Sequence, residues 1–405
     1  MSQVRRAVAS TRGLVADDDR VCAVTGPIPG GWRVVERYII LPSTRRPQVL
    51  APARAPAAAA VAVRQFSNGA PTRDRRIAVL AGAGLRAGVV QRLARGRLSV
   101  AVPPGTGKDD LRDLVLSHHL AGALALPHVD LTVRVAAARP NGKPVMQVSA
   151  PGDGVVAYAK VGWNDLTRPL VSGEAAALSA LAQAPPNTFD TPRLVHAGDW
   201  RGNAVTAVAP VVGGRMHLTP EPPPAATREL ALGDGVERAR LAESGWWQDL
   251  RRRIDAANGE AQRAQAERVA AVIGERELAF GRAHGDWTPW NMTERGGRLA
   301  VWDWERAATG VPVGIDALHY TLLVALNARG LEPPRAVADV LARADRILGS
   351  LDVAAEDARA LMSLELLEMS VRFAEARGAG VAGLNDRFGR ALADLMADGY
   401  DGKAP

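Results

Sequence analysis

The chain is poor in cysteine, lysine and aromatic residues, and each shortage removes a class of protein. One cysteine in 405 residues, Cys22, leaves no internal disulfide to form, so a reducing cytoplasm is the expected setting. No apolar run reaches membrane-spanning length. The Ala-rich stretch 55–63 is too short and is hemmed in by proline and arginine. Residues 1–25 hold arginines but no continuous apolar segment, so no secretory signal is expected. No internal repeat with a period of 20–50 residues is present. What remains is 47% hydrophobic and 23% charged, the composition of a globular protein long enough for two or three domains.

The net charge of +7 is unevenly distributed. Residues 1–120 hold 19 Arg/Lys against 8 Asp/Glu, whereas the remainder holds 31 against 35. A basic N-terminal third is either simply solvated or meets an anionic membrane or an anionic glycan. Nucleic acid is not an expected partner, because the interleaving of aromatic and basic residues that builds a base-stacking platform is missing.

Hydrophobic periodicity divides the chain into three parts. Residues 1–125 read as a small α/β accessory domain whose first ~30 residues are irregular. Its strands are expected at 37–41, 76–80 and 98–102, and its helices at 55–66, 86–95 and 109–123. Over 126–215, strands at 130–138, 144–150 and 155–161 are joined by turn-forming Arg139-Pro-Asn-Gly-Lys143 and Pro151-Gly-Asp-Gly154. A helix at 171–183 and strands near 194–197 and 204–209 complete a five-stranded antiparallel module. After the stiff Pro220-Glu-Pro-Pro-Pro224, residues 216–405 are mostly helical, with helices at 225–241, 245–274, 315–328, 333–349, 354–376 and 384–397. The segment 279–305 interrupts them.

That interruption carries the chemistry. It contains His284-x-Asp286-x-x-x-x-Asn291, then Asp303 after a hairpin-like connection. Transfer of a phosphoryl group needs a carboxylate to orient and deprotonate the attacking hydroxyl, and oxygen ligands for magnesium on the nucleotide phosphates. An Asp and an Asn five apart on one loop, with a second Asp from a strand end, divide those tasks.

These residues resemble the catalytic loop of the aminoglycoside phosphotransferase and choline-kinase-like family, itself similar to protein kinases. The shared pattern is H-[GR]-D-x-x-x-x-N followed by a hydrophobic-Asp-aromatic segment. His284, Gly285, Asp286, Asn291 and Asp303 match it in order and spacing. The resemblance implies an α+β, bilobal kinase-like fold over about 126–405, with ATP (GTP as the alternative) and Mg2+ as cofactors. It also implies a small hydroxylated molecule as acceptor. Asp286 would be the catalytic base, Asn291 and Asp303 the metal ligands, and His284 and Asp316 structural supports. A catalytically idle nucleotide-binding scaffold and a protein kinase stand as the alternatives. Against the latter, Asp303 is followed by Trp-Glu, and no Ala-Pro-Glu signature comes after it.

The fold so implied needs a phosphate-holding lysine on its third strand and a glutamate on the next helix. Lys160, ending Val155-Val-Ala-Tyr-Ala-Lys160, and Glu174 fill those places. Asn141, Gly142 and Lys143 are phosphate-contact candidates from the first hairpin turn. Four tryptophans crowd the motif; Trp287 and Trp290, with Glu305, are candidate substrate contacts, while Trp302 reads as core. Trp290 and Thr288 stand where aminoglycoside kinases usually carry glycine and histidine, which argues against aminoglycosides themselves. Two glycine-rich decoys fail on spacing. Gly82-Ala-Gly-Leu-Arg-Ala-Gly88 places its last glycine one residue late for a dinucleotide fingerprint. Pro104-Gly-Thr-Gly-Lys-Asp109 lacks both the leading glycine and the Ser/Thr of a Walker loop.

Overall fold

The structure is a computed structural model describing residues 13–66, 72–94, 96–135, 143–151, 154–211, 215–216, 219–378 and 386–397. It is of mixed α+β class. The chain forms two compact units, residues 1–175 with 193–211, and residues 176–192 with 212–405.

Among the described residues, the first unit is built on one antiparallel sheet of nine strands. Their spatial order is Cys22–Val24, Arg97–Val102, Arg33–Ser43, Arg46–Pro52, Asp130–Arg134, Val145–Ala150, Gly154–Gly162, Asn203–Val208 and Leu194–Trp200. Strand Arg33–Ser43 shows why the sheet is apolar on both faces. Tyr38 and Ile40 point into a core with Leu98, Val100, Leu131 and the helical Leu114 and Leu120. Ile39, between them, points the other way, joining Val49, Ala51 and the helical Ala59, Ala60, Val63 and Leu85. Alternate side chains leave opposite faces of a strand, so where both faces are covered the apolar residues run consecutively, as Tyr38, Ile39 and Ile40 do.

Two expectations are corrected here. The five strands over 130–209 exist, but they do not stand alone. Val49 and Leu50 pair with Arg134 and Val133, and this joins the five to four strands from residues 22–102. The open ladder of Asp130–Arg134 is thereby satisfied rather than left as an edge. Residues 76–80, expected as a strand, lie within the helix Thr72–Arg86, since a short apolar run does not distinguish the two structures.

Among the described residues, the second unit gathers the α-helices from Pro224–Leu232 to Arg387–Ala397 around a core that includes Trp247, Leu250, Val269, Leu318, Leu322, Val340, Leu364, Leu367 and Leu392. Two small sheets join them. One contains Glu237–Arg240, Glu277–Ala283 and Ala308–Pro312; the other contains Arg215–Met216, Met292–Arg295, Arg298–Val301 and Phe189–Asp190. The helix expected over 225–241 stops at Leu232 before Gly233 and Gly235, and Glu237–Arg240 instead pairs with Glu277–Phe280. The helix expected over 245–274 breaks at Asn258 and Gly259, where Asn258 takes a left-handed φ of 50°. Among the described residues no helix is long and apolar enough to cross a membrane.

Candidate active site

The loop 284–291 follows strand Glu277–Ala283 and ends in a single 3-10 turn, Pro289–Asn291. The hairpin Met292–Arg295/Arg298–Val301 follows. Its register, Met292 opposite Val301, returns the chain beside the loop, and the Trp302 amide donates to the Asn291 carbonyl at 3.1 Å. Gly296 and Gly297, with φ of 56° and 80°, make the turn that closes this hairpin. Local pairing thus brings the segment carrying Asp303 back to the loop carrying Asp286.

Asp286 is gripped on several sides. The Asn291 Nδ2 donates to its Oδ2 and to its main-chain oxygen, both at 3.0 Å. Its other carboxylate oxygen, Oδ1, faces His319 Nε2 at 3.4 Å. Its backbone N–H donates to His284 Nδ1 at 3.2 Å. Burial favours a protonated carboxyl at Asp286. The His319 hydrogen bond and charge, with the Arg372 guanidinium, outweigh it and hold the group well below the usual carboxylate range. The carboxylate is therefore ionised and oriented, while its side chain keeps 33% of its exposure.

The supports explain the residue choices in the loop. The Asp316 carboxylate accepts from the amides of His284 at 2.6 Å and Gly285 at 3.0 Å. His284 is fully buried and lies with its Nε2 3.1 Å from the Trp302 carbonyl. Accepting at Nδ1, it donates at Nε2 as a neutral imidazole, and burial lowers its pKa accordingly. Gly285 has a φ of +76°, and a Cβ there would stand 2.4 Å from the Arg306 carbonyl, so only glycine fits. Asp303 itself takes a φ of 71°, a conformation that costs about 1–3 kcal/mol and clusters at functional sites.

A buried layer of charge behind the loop was not read from the sequence. His319 Nδ1 lies 2.6 Å from Glu365 Oε1, and the two side chains are 3% and 2% exposed. Burial alone would lower the imidazole pKa. The Glu365 and Asp286 carboxylates outweigh this and push it up to about 10, so His319 is an imidazolium. Beside it, Arg372 donates to the Gly285 carbonyl at 2.9 Å and to Glu368 at 2.8 Å. Arg253 donates to Glu368 at 2.8 Å and to Glu375 at 2.7 Å. Burial favours protonated Glu368, but these two guanidiniums bring it down to about 2. Two signals in the sequence pointed here: His319 stands three residues after Asp316 on one helix, and Glu365, Glu368 and Arg372 share one face of the helix Ala358–Gly378.

No protein-family model matches the chain, and no curated protein matches it. Among solved structures it is similar to aminoglycoside phosphotransferase APH(4)-Ia bound to ADP and hygromycin B. That likeness is at 13% identity, covers 71% of this chain and 99% of that one, and has a TM-score of 0.45. It is also similar to glucosamine kinase with glucosamine, ADP and inorganic phosphate, at 18% identity, 71% and 88% coverage and a TM-score of 0.39. A third is the GDP complex of an aminoglycoside 2'-phosphotransferase-IIIa variant, at 14% identity, 65% and 89% coverage and a TM-score of 0.39. At these scores no likeness assigns a role to any residue here.

The remaining candidates divide by unit. In the first unit, Lys160 Nζ donates to Glu174 Oε1 at 2.9 Å, with side chains 14% and 4% exposed. Ala157, Ala159 and Val161 face the core, so Lys160 leaves the opposite face of its strand, toward the helix Thr167–Gln183. Lys143 is half-buried, and Asn141 and Gly142 lie outside the described residues. In the second unit Trp287 is corrected from substrate contact to core. It is fully buried, its indole N–H donates to Thr227 Oγ1 at 3.0 Å, and its ring meets Phe189 edge-on. Trp304 is equally buried, its ring centroid 4.5 Å from that of His284. Trp290, Trp302 and Glu305 are half-buried.

Proposed function

We propose that the chain is an ATP- and Mg2+-dependent phosphotransferase acting on a hydroxyl group of a small molecule, with a kinase-like division into an N-lobe and a C-lobe. GTP is the alternative nucleotide. The observation that carries this reading is the geometry of Asp286: oriented through both carboxylate oxygens and set on a backbone clamped by Asp316, His284 and Arg372. A carboxylate held this way can accept the proton of an attacking hydroxyl. The hydroxyl oxygen bonds to the γ-phosphorus as the bond to the bridging oxygen breaks, and the nucleoside diphosphate leaves with that electron pair. The acceptor's proton passes to Asp286.

Asn291 and Asp303 offer an amide oxygen and a carboxylate, a hard-oxygen set suited to magnesium, which takes one or two protein ligands and completes its shell with water and phosphate. Bound there, the ion would neutralise charge on the transferring phosphates. Lys160, held by Glu174, is the proposed phosphate-binding cation, with Lys143, Asn141 and Gly142 as further phosphate contacts. Trp290 and Glu305 are the proposed acceptor contacts. Thermal shift with Mg-ATP, followed by phosphate transfer across a panel of sugars and amino alcohols, tests the assignment. Asp286→Asn should still bind Mg-ATP while turnover falls at least a hundredfold. Undiminished ATP-dependent turnover in that variant would refute it.

A further inference from the structure

The helix Thr72–Arg86 is apolar on two sides. Inward, Leu85 is fully buried with Ile39, Val49 and Ala51, and Ala81 packs against them. Outward, Val79 is 54% and Leu80 is 72% exposed, with exposed Arg76 a turn before, Ala83 a turn after and Arg86 beyond it. The spacing 76, 79/80, 83, 86 is one helical stripe. The short helix Val89–Leu93 repeats the arrangement. Val90 packs at Gly84, its Cγ2 standing 3.0 Å from where a Cβ there would lie. Val89 and Leu93, one turn apart, stay 47% and 74% exposed beside exposed Arg92.

Single exposed leucines are ordinary, but four of the seven large hydrophobic side chains exposed among the described residues fall between 79 and 93. The charge there is one-sided. Residues 72–97 contain seven arginines and one acid, Asp74. An occupant must therefore be apolar and anionic together. A second copy of this face would set arginine against arginine, and a nucleic acid would gain nothing from leucine and valine. A bilayer with acidic lipid offers both, with phosphates at the surface and hydrocarbon just beneath.

We propose that this helix pair docks the chain on an anionic lipid surface, Leu80, Leu93, Val79 and Val89 entering the interface while Arg76, Arg86 and Arg92 meet the lipid phosphates. The contact lies on the membrane and does not span it. It is independent of the phosphotransfer reading, because it uses no residue of that site.

The test is co-sedimentation of the full chain with vesicles of phosphatidylcholine alone and of phosphatidylcholine containing a quarter phosphatidylglycerol. Binding is expected only to the second, weakening as salt rises. Arg86→Gln and Arg92→Gln should each weaken it about fivefold. The double variant Leu80→Ser, Leu93→Ser should weaken it at least tenfold with an unchanged circular dichroism spectrum and melting temperature, since both side chains are already largely exposed. No binding to the acidic vesicles overturns the proposal. Equal binding by the double-serine variant also overturns it, because attraction by charge alone is not docking. A dimer in sedimentation velocity that the same variant dissolves would assign the face to a second copy instead.

Discussion

Replacing His319 and Glu365 together with glutamine should remove a specific pH dependence of stability. The imidazolium is held between two carboxylates in a site where its side chain is 3% exposed, and its pKa is raised from 6.5 to about 10. For a cation whose folded pKa lies above its unfolded value, the stabilisation is fully present below the unfolded pKa and is lost as pH rises through the folded one. At ~1.4 kcal/mol per pKa unit, the full contribution is on the order of 5 kcal/mol below pH 6.5, and it disappears by about pH 10. Between pH 7.5 and 9.5 the native chain binds one more proton than the unfolded one. Its unfolding free energy should therefore fall by about 3 kcal/mol across that window. The double substitution is chosen because removing His319 alone would strand the Glu365 carboxylate in a buried site without its partner. Urea unfolding at several pH values, followed by tryptophan fluorescence, gives the comparison. Six of the nine tryptophans (Trp246, Trp247, Trp287, Trp290, Trp302 and Trp304) lie in the unit that holds His319. Groups common to both proteins, such as the Cys22 thiol, raised by burial, cancel in the difference. The gap between wild type and variant should close by about 3 kcal/mol from pH 7.5 to 9.5. Parallel curves would refute the buried imidazolium and with it the cation placed behind Asp286.

Four other substitutions probe the same architecture. Gly285→Ala forces a left-handed φ and a clash with the Arg306 carbonyl, so it should cost more than about 2 kcal/mol in urea unfolding and abolish turnover. Asp316→Asn keeps the shape but loses the charge that accepts from two loop amides. About 2 kcal/mol of stability and at least tenfold in turnover should go, with the far-ultraviolet spectrum unchanged. Glu174→Gln leaves the Lys160 ammonium in a nearly buried position without its carboxylate. Calorimetry should show Mg-ATP binding at least tenfold weaker, whereas Trp290→Ala should leave nucleotide affinity as it is.

How far the sequence could be read follows the distance between partners along the chain. The loop was legible because everything that shapes it is local. His284, Asp286 and Asn291 lie within eight residues, and the hairpin returning to Asp303 is encoded by Gly296-Gly297 between two short strands. Lys160 and Glu174 were legible for the same reason, fourteen residues apart on a strand and the next helix. The joining of Arg46–Pro52 to Asp130–Arg134 was not, since many apolar strands compete for each open edge and composition names no partner. Trp287 was misassigned because a ring crowded against a motif looks the same in sequence whether it faces a substrate or the core; Thr227, sixty residues upstream, settles it by accepting the indole N–H. Glu365, Glu368 and Arg372 fall between these cases. A buried charge must find a partner or it unfolds the helix that carries it. Three of them at helical spacing in a helix lined with Leu361, Leu364, Leu367 and Val371 therefore announce a charged cluster inside the fold. What they do not announce is that Glu365 reaches back 46 residues to His319, and Arg372 reaches 87 residues to Gly285. The pattern identifies a site that must be paired; only the folded chain shows that the pairing supports the loop on which Asp286 stands.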